Sequence, residues 1–470
     1  LSGIAMMAMD AVKLGAPGEY HRIAAEQRDP ASAAHLAFLM KENGVEVLYS
    51  TSDKAYYIPT AQPYGRFVKE MLTVQRYPKV KLVAGPNIVP PYDMTAWSLP
   101  LIMGVSVEKV KISKDKQTGL RGLKDSDWPQ GEVTDAGATR YIVSHESNGV
   151  SKLINTVLAQ KGSVSVTGAS FKAGGREFPS GSVVVENVKD IKGLATKYSL
   201  DITGLNEKPN VKMDKVGEFK LGMYKPWVAS MDEGWTRWVL EQYGFPLKSI
   251  STKDMKEQKL STEYDVIVIP DVTKEVIIDG KRKPEEGDMK YFVDFPPEYS
   301  GGIGKDGVKN LKDFVEQGGT LIALASACDF VTDEFNVPVV NVLARAKSDE
   351  FNCPGSLLRI NIAPNHPVTY GMPGEVPGFV NQRIAFQTTP PASEMTRSVL
   401  AWYPNESEDI LMSGWILGAE KLQRRAAAVA LTYGKGKIVL FGFRVQHRAQ
   451  TEGTFKLLFN AIHWGAMKKN

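Results

Sequence analysis

The chain has 470 residues, of which 43% are hydrophobic and 23% are charged. A chain of this length exceeds what one hydrophobic core supports, so we expect about two to four domains. The formal net charge of +4 is small beside 57 basic and 53 acidic side chains, so it favours neither nucleic acid nor an anionic membrane as a partner. No apolar run reaches about 18 residues, so we expect no membrane span.

The first 21 residues are apolar in the stretch LSGIAMMAMDAV, which predicts an N-terminal helix or linker. Because the chain begins with Leu, we expect it to be a fragment or a processed product. The two cysteines, Cys328 and Cys353, could pair or could be separate buried thiols, so they leave the compartment open.

An internal repeat occupies residues 22–217, with an offset of about 119 residues between its copies. The copies span about 22–63 and 141–186, and each predicts a strand, a helix and two further strands, which is a βαββ unit. Gly44 and Gly162 follow the two helices and suit left-handed helix ends. A proline-rich connector over about 78–100 separates the copies.

From about residue 218 to residue 470, buried strands alternate with amphipathic helices. This pattern predicts an α/β domain built on a parallel sheet, of the flavodoxin-like type. A polar insertion is expected at about 281–304, and a glycine-rich turn at 434–436 predicts a hairpin near the end of the domain.

Several segments carry a family resemblance: EQRDP at 26–30, QPYGRFVKEMLTVQRYP at 62–78, PPYDMTAWSLPLIMG at 90–104 and MDEGWTRWVLEQYGFP at 231–246. Together they resemble the region that follows the catalytic domain in large bacterial zinc carboxypeptidase-like proteins. The resemblance implies that zinc, attacking water and general base belong to a missing N-terminal domain. None of the six histidines here stands in a His-x-x-Glu pair, so we expect no zinc site and no cofactor in this chain.

The resemblance further implies a noncatalytic accessory region that orients substrate or supports assembly, in a parent that hydrolyses peptides. The expected partners are the N-terminal carboxypeptidase domain or chain, a peptide substrate and, in a homo-oligomer, further copies. The resemblance also implies a secreted or periplasmic protein.

The α/β domain is also similar to class I glutamine amidotransferases, through GGTLIALASACDF at 318–330. Those enzymes hold a nucleophilic Cys on a sharp turn between strand and helix, beside a His base. The residues that would match are Cys328, His447 and Glu452, with Ser326 as a weaker nucleophile. This alternative is a self-contained Cys or Ser hydrolase, although the flanking glycines of the family turn are missing.

A third interpretation is a carbohydrate-binding module, because the α/β domain also resembles trehalose-utilisation-type domains. Trp227, Asp232 and Trp235 are its candidate ligand residues, in and after a loop that follows a predicted strand. Burial against the sheet is the competing interpretation for these tryptophans and for Trp238.

Two motifs are distinctive without indicating chemistry. In PPYDMTAWSLP, Asp93 is expected to form a turn and Thr95 to be exposed. The segment His366–Pro373 resembles a family loop motif, HPxxYGMP, to which no chemistry is assigned.

Overall fold

The computed structural model describes residues 2–80, 88–281, 296, 299–391 and 394–467. Most of the predicted polar insertion at 281–304 and part of the proline-rich connector lie outside these residues. Within the described ranges, no helix has the length and hydropathy needed to cross a membrane.

The first repeat unit comes after the N-terminal helix α1 (Ser2–Leu14). The unit and the segment that follows it contain β1 (Glu19–Ala24), α2 (Pro30–Glu42), β2 (Leu48–Ser50), β3 (Ala55–Pro59), α3 (Gly65–Leu72), α4 (Leu99–Met103), β4 (Glu108–Lys111), α5 (Lys114–Gln117) and β5 (Arg121–Gly122). The strands form one sheet in the order β4-β1-β3-β2-β5.

The second repeat unit is built in the same way. Its elements are β6 (Val133–Thr134), β7 (Arg140–Val143), α6 (Gly149–Ala159), β8 (Ser163–Thr167), β9 (Phe171–Ala173), β10 (Arg176–Phe178), β11 (Val183–Glu186), α7 (Ile191–Tyr198), β12 (Ile202–Leu205) and β13 (Met213–Val216). Its sheet has the order β13-β8-β11-β7-β12-β6, and β9 and β10 form a separate hairpin.

The predicted duplication of a βαββ unit is confirmed by strand pairing. In each unit the first strand pairs antiparallel with the last of the three, which pairs antiparallel with the middle one. The correspondence extends further than the predicted copies, because β4 and β5 pair with β1 and β2 in the first sheet as β12 and β13 pair with β7 and β8 in the second.

The two predicted helix ends differ. Gly44 has a φ of 85°, as expected for a left-handed position after α2. After α6 the left-handed residue is Lys161, with a φ of 63°, so the prediction for Gly162 is wrong. Gly162 is required for another reason, since a Cβ there would lie 2.6 Å from Cγ1 of Val157.

The third part is the α/β domain. Its first half contains β14 (Leu221–Lys225), α8 (Met231–Gln242), β15 (Leu247–Ser251), α9 (Thr252–Glu257), α10 (Leu260–Glu263), β16 (Val266–Ile269), α11 (Lys274–Asp279), α12 (Gly304–Glu316), β17 (Thr320–Leu324) and α13 (Ala327–Glu334). Its second half contains β18 (Val339–Asn341), β19 (Ser356–Ile362), β20 (Glu375–Val380), β21 (Phe386–Thr388), β22 (Arg397–Trp402), β23 (Leu411–Ser413), β24 (Ala426–Tyr433), β25 (Gly436–Phe441) and α14 (Glu452–Ala466).

The prediction of a flavodoxin-like domain is confirmed by the sheet topology. Five strands run parallel in the order β15-β14-β16-β17-β25. Numbered along the chain, this is the order 2-1-3-4-5 of flavodoxin-like folds. Antiparallel strands continue the sheet beyond β25, and β24 and β25 form the predicted hairpin with Gly434 in the left-handed region.

The distinctive motif at 90–104 anchors the first repeat unit to the α/β domain. Thr95 is 1% exposed, so the prediction of an exposed side chain is wrong. Its hydroxyl lies 2.8 Å from Oγ of Ser356 and accepts a hydrogen bond from the backbone N–H of Trp415. Asp93 accepts a hydrogen bond from the N–H of Met94, a local bond of the kind that turn residues make.

The motif at 366–373 packs against the second repeat unit and links it to the α/β domain. A Cβ on Gly371, whose φ is 68°, would lie 1.8 Å from the carbonyl oxygen of His145. The ring of Tyr370 lies against Gly181 in the same way. The motif therefore acts through close packing between the two parts, and a hydrophobic core runs continuously from the second repeat unit into the α/β domain.

Candidate functional site

The carboxyl ends of the parallel strands form the candidate site. In open α/β sheets, ligands bind outside these ends, at the point where the strand order reverses. Here the reversal lies between β14 and β16. The chain places Asp232 after β14, Asp271 after β16 and Arg444 after β25.

These three charged residues meet. Arg444 forms an ion pair with Asp232, and its Nη2 lies 2.7 Å from Oδ2 of Asp271. Gln382 donates to the same Asp271 oxygen at 2.6 Å. We call Asp232, Asp271, Gln382, Arg444 and the neighbouring His447 the carboxyl-edge cluster. All three charged side chains are at most 15% exposed, so the ion pairs are largely shielded from water.

Burial governs the electrostatics of the cluster. It raises the pKa of Asp232, while the Arg444 guanidinium opposes that rise. Buried charges of this kind are retained in proteins when they are paired and hydrogen-bonded. The crevice at the strand reversal is therefore occupied by the protein's own Arg444.

His447 is held in the cluster as a neutral ring. Its ring stacks on that of Phe379, with 3.8 Å between centroids and 9° between planes. Its Nδ1 lies 3.4 Å from Nη1 of Arg444. Burial, together with the charges of Arg444 and Arg448, lowers its pKa to about 3. An imidazole in this setting is uncharged at neutral pH, and its neighbours are an aromatic ring and a cation.

The sharp turn after β17 has its strained residue at Ala325. Its φ is 48°, in the left-handed region that only Gly adopts readily, and its side chain is buried. A nucleophile elbow places its Ser or Cys on such a strained residue. Alanine offers no nucleophilic atom at this position. The next residue, Ser326, donates its backbone N–H to Oδ1 of Asp271 at 3.0 Å.

Cys328 lies beyond the turn, in the first turn of α13. It is fully buried, with Sγ 3.4 Å from the carbonyl oxygens of Ala323 and Phe441. Burial raises the pKa of this thiol well above its ordinary value. Reactive cysteines require an accessible thiolate, which this environment disfavours. Cys353 is also buried and free, so the two cysteines do not pair.

Glu452 lies at the contact between the α/β domain and the first repeat unit. Its Oε1 lies 2.5 Å from Nδ1 of His35, and its Oε2 accepts a hydrogen bond from Ser32 at 2.7 Å. It therefore links α14 to α2 of the first repeat unit. The hydrogen bonds of Cys328, His447 and Glu452 lead to other residues, so the structure does not assemble them as a triad.

The candidate tryptophans are exposed. Trp227, Trp235 and Trp238 are 42%, 39% and 50% exposed, so the interpretation that they are buried against the sheet is wrong. Met231, Trp235 and Trp238 have the spacing of one helix face along α8. We call Trp227, Met231, Trp235 and Trp238 the aromatic stripe. The Asp232 side chain is engaged with Arg444, so it belongs to the carboxyl-edge cluster.

Sequence reasoning missed Asp271, Gln382 and Arg444. A signal existed for Asp271 and Arg444, because each is a charged residue within a few positions of the end of a buried strand. Nothing in the pattern around Gln382 distinguishes it from a loop residue.

The residues that the structure describes do not offer a ligand set for a zinc centre. Among the described residues there is no group of three His, Cys, Asp or Glu side chains arranged to hold a metal ion. Catalytic zinc requires three protein ligands and an open position. No step of a reaction is therefore assigned to a metal in this chain.

Comparison with known proteins gives no family assignment. No family model matches the sequence, and the search of curated proteins returned no match. Solved structures with some likeness include a ThuA-like protein from Bacteroides uniformis, at 15% identity over 53% of this chain and 91% of that one, with a TM-score of 0.30. PurLQS from Thermotoga maritima matches at 12% identity over 53% of this chain and 99% of that one, with a TM-score of 0.35. At these scores the likenesses carry no argument, and the fold assignment rests on the strand order described above.

Proposed function

We propose that this chain is a noncatalytic accessory region of a zinc carboxypeptidase-like protein, and that it orients substrate or supports assembly. In this proposal the parent hydrolyses a C-terminal peptide bond. Zinc, water and general base are then supplied by an N-terminal domain or chain.

The observation that carries the noncatalytic part is the elbow at Ala325. The position where a nucleophile would be presented holds a methyl group, and Arg444 occupies the crevice beside it. Cys328 is buried, and His447 is neutral and stacked on Phe379. These observations support a noncatalytic role for the α/β domain, which agrees with the rule that one fold hosts many functions.

The aromatic stripe supports a role in binding or assembly. Exposed tryptophans arranged along one helix face are unusual on a free surface, and Trp is enriched where proteins contact partners. The stripe begins next to the carboxyl edge of the sheet, where α/β domains commonly bind ligands. In this proposal it contacts the catalytic domain or its peptide substrate.

The test is to purify the natural protein through a streptavidin-binding tag placed at its own locus, because a histidine tag would itself bind zinc. We expect a species heavier than 51.7 kDa, or a second chain, that contains zinc and has carboxypeptidase activity abolished by a chelator. A metal-free species of 51.7 kDa without a partner would contradict the proposal. A matched preparation from the untagged strain controls for contaminating peptidases.

The exposure of the stripe also favours a second candidate function, carbohydrate binding. Indole rings present flat apolar faces on which sugar rings can stack. Affinity electrophoresis in gels containing soluble polysaccharides would test this candidate. Retardation that is lost in Trp235→Ala and kept in Tyr92→Ala, a change at a fully exposed aromatic residue elsewhere, would support it. Equal mobility of all three proteins in every polysaccharide would rule against it.

A further inference from the structure

We propose that a cavity in the antiparallel part of the α/β domain binds a small ligand that carries an oxyanion beside a flat apolar group. The residues that define this site are Gln387, Thr388, Val399, Trp402, Arg424 and Arg425, and we call it the arginine-tryptophan cavity. Its volume is about 270 Å³. It lies on β21, β22 and the segment leading into β24. It goes beyond the function proposed above, because none of its residues belongs to the carboxyl-edge cluster or to the aromatic stripe.

The cavity is formed by a fork in the sheet. Ala426, the first residue of β24, pairs with Trp402 of β22 and also with Phe386 of β21. The register of β22 against β24 shifts twice between Val399 and Trp402. Bulges of this kind redirect side chains and occur often beside binding sites. Here the fork leaves a space between β21 and β22, with the Trp402 indole on its wall.

The charges around the cavity have one sign. Arg424 and Arg425 line it, and no carboxylate does. Neither guanidinium forms an ion pair in the part of the chain that the structure describes. A guanidinium offers a planar fork of donors that matches the oxygens of a carboxylate or a phosphate group. Two such groups at one cavity, with no acidic residue among the described residues that line it, indicate that the complementary charge comes from a ligand.

The backbone holds Arg424 in an unfavourable conformation. Its φ is 57°, in the left-handed region, which costs a residue other than Gly about 1–2 kcal/mol. The position is maintained by hydrogen bonds on both sides, from Arg424 N–H to the Pro404 carbonyl at 3.1 Å and from Arg425 N–H to the Leu422 carbonyl at 2.9 Å. Strain that the surrounding structure maintains is concentrated at functional sites.

The second arginine is oriented by a side-chain contact. Nη1 of Arg425 donates to Oε1 of Gln387 at 2.9 Å, which leaves its other donors available. Arg397 makes a comparable contact with Thr388 at 2.7 Å, and its buried Nε has no hydrogen-bond partner among the described residues. Donors that are fixed before a ligand arrives lose less conformational freedom on binding.

The size of the cavity and the Trp402 indole indicate what the apolar part of the ligand is. Pockets for drug-sized molecules span about 300–1,000 Å³, so a cavity of 270 Å³ suits a single ring with its anionic group. The partly exposed Trp402 side chain offers a flat face for that ring. A carboxylate and a phosphate share the required chemistry, and the experiment separates them.

The experiment is isothermal titration calorimetry of the intact chain with benzoate, phenyl phosphate and benzyl alcohol. We expect at least one anion to bind and the neutral alcohol not to bind. The anion that binds more tightly shows whether the site prefers a carboxylate or a phosphate. Arg424→Gln and Arg425→Gln should each weaken binding about tenfold or more, the effect of losing a hydrogen bond to a charged group. Arg345→Gln makes the same charge change at an exposed residue outside the cavity, and it should bind as the wild type does.

A second variant separates loss of the guanidinium from loss of folding. Arg424→Gly keeps the left-handed φ without strain and should unfold at the wild-type temperature or above while losing the anion. The proposal is overturned if neither anion binds, if benzyl alcohol binds as tightly as the anions, or if Arg424→Gly and Arg424→Gln retain wild-type affinity. None of these outcomes depends on a zinc-containing parent, so this proposal and the proposed function can fail separately.

Discussion

The carboxylate of Asp29 accepts a hydrogen bond from the backbone N–H of Asn148 at 2.8 Å, and these residues occupy equivalent positions 119 apart in the two repeat units. Asp29 also accepts hydrogen bonds from the Ser147 hydroxyl and from the N–H of Ser32, which makes it the N-cap of α2. The N-termini of α2 and α6 therefore meet at one carboxylate. Negative charge at this place is favoured by the dipoles of both helices.

Replacing Asp29 with Ala should therefore destabilise the protein more than the loss of an ordinary helix cap. We expect a loss of at least about 2–4 kcal/mol in the free energy of unfolding, since a cap contributes about 1 kcal/mol and one hydrogen bond to a charged group about 1.5–3 kcal/mol. Urea unfolding measures this. Ser230→Ala removes the cap of α8 alone and should cost about 1 kcal/mol. Equal losses in the two variants would show that the contact between the repeats contributes nothing.

Lys456 lies beside the same contact between the repeat units, and its titration makes the stability of the protein depend on pH. Its buried ammonium donates to the Ser147 carbonyl at 2.8 Å, and burial lowers its pKa from 10.5 to about 7. Between these values the unfolded chain binds more protons than the folded one, so this residue makes stability rise with pH through that window. Below the folded pKa its burial penalty is complete.

Lys456→Met should remove this contribution. The variant should gain most over the wild type below about pH 7, and the gain should shrink by on the order of 1 kcal/mol per pH unit above it. Urea unfolding across the pH range measures the difference, with Lys253→Met as the control at an exposed lysine. A difference between Lys456→Met and the wild type that is constant with pH would contradict the lowered pKa.

Arg444 is the only cation paired with both Asp232 and Asp271 among the described residues. Arg444→Met should destabilise the protein by about 3–5 kcal/mol, because two buried carboxylates lose their counter-charge. Adding Asp271→Asn to this variant should recover part of the loss. Thermal unfolding of the wild type, the two single variants and the double variant gives the stability changes of a double-mutant cycle. A double variant that loses the sum of the single effects would show that the pair is not coupled.

The thiols provide a test that needs no stability measurement. Cys328 and Cys353 are buried and free, and burial raises the pKa of both, that of Cys353 to about 12. An aromatic disulfide reagent should label neither thiol in the native protein and both after unfolding in guanidinium. Rapid native labelling at Cys328, located by peptide mass spectrometry, would revive the hydrolase alternative. Cys328→Ser serves as the control for assigning the label.

The tryptophans divide into exposed and buried groups with different expected effects. Trp415 is 1% exposed, so Trp415→Ala should cost about 3–5 kcal/mol. Trp235→Ala, in the aromatic stripe, should cost less than about 1 kcal/mol because the side chain already contacts water. Thermal unfolding compares the two. A large loss for Trp235→Ala would mean that the stripe stabilises the fold, and would weaken its assignment as a binding surface.

Local sequence determined the elements that depend on periodicity and on turn chemistry. The βαββ pattern repeats because each copy has apolar residues at strand and helix spacing. In the α/β domain, buried runs such as 266–269 indicate where the strands lie along the chain. The hairpin at 434–436 was predictable for the same reason, because a glycine there is free to adopt a positive φ.

Only the tertiary structure decided what those elements present to one another. The carboxyl-edge cluster joins a residue of α8 to residues from three separate loops, and the Thr95 hydroxyl is buried by strands more than 250 positions away. The aromatic stripe has a helical period whether it faces core or solvent, so its exposure depends on how α8 packs on the sheet. Periodicity reports which residues share a face of an element, whereas contacts between distant segments depend on packing that no local pattern encodes.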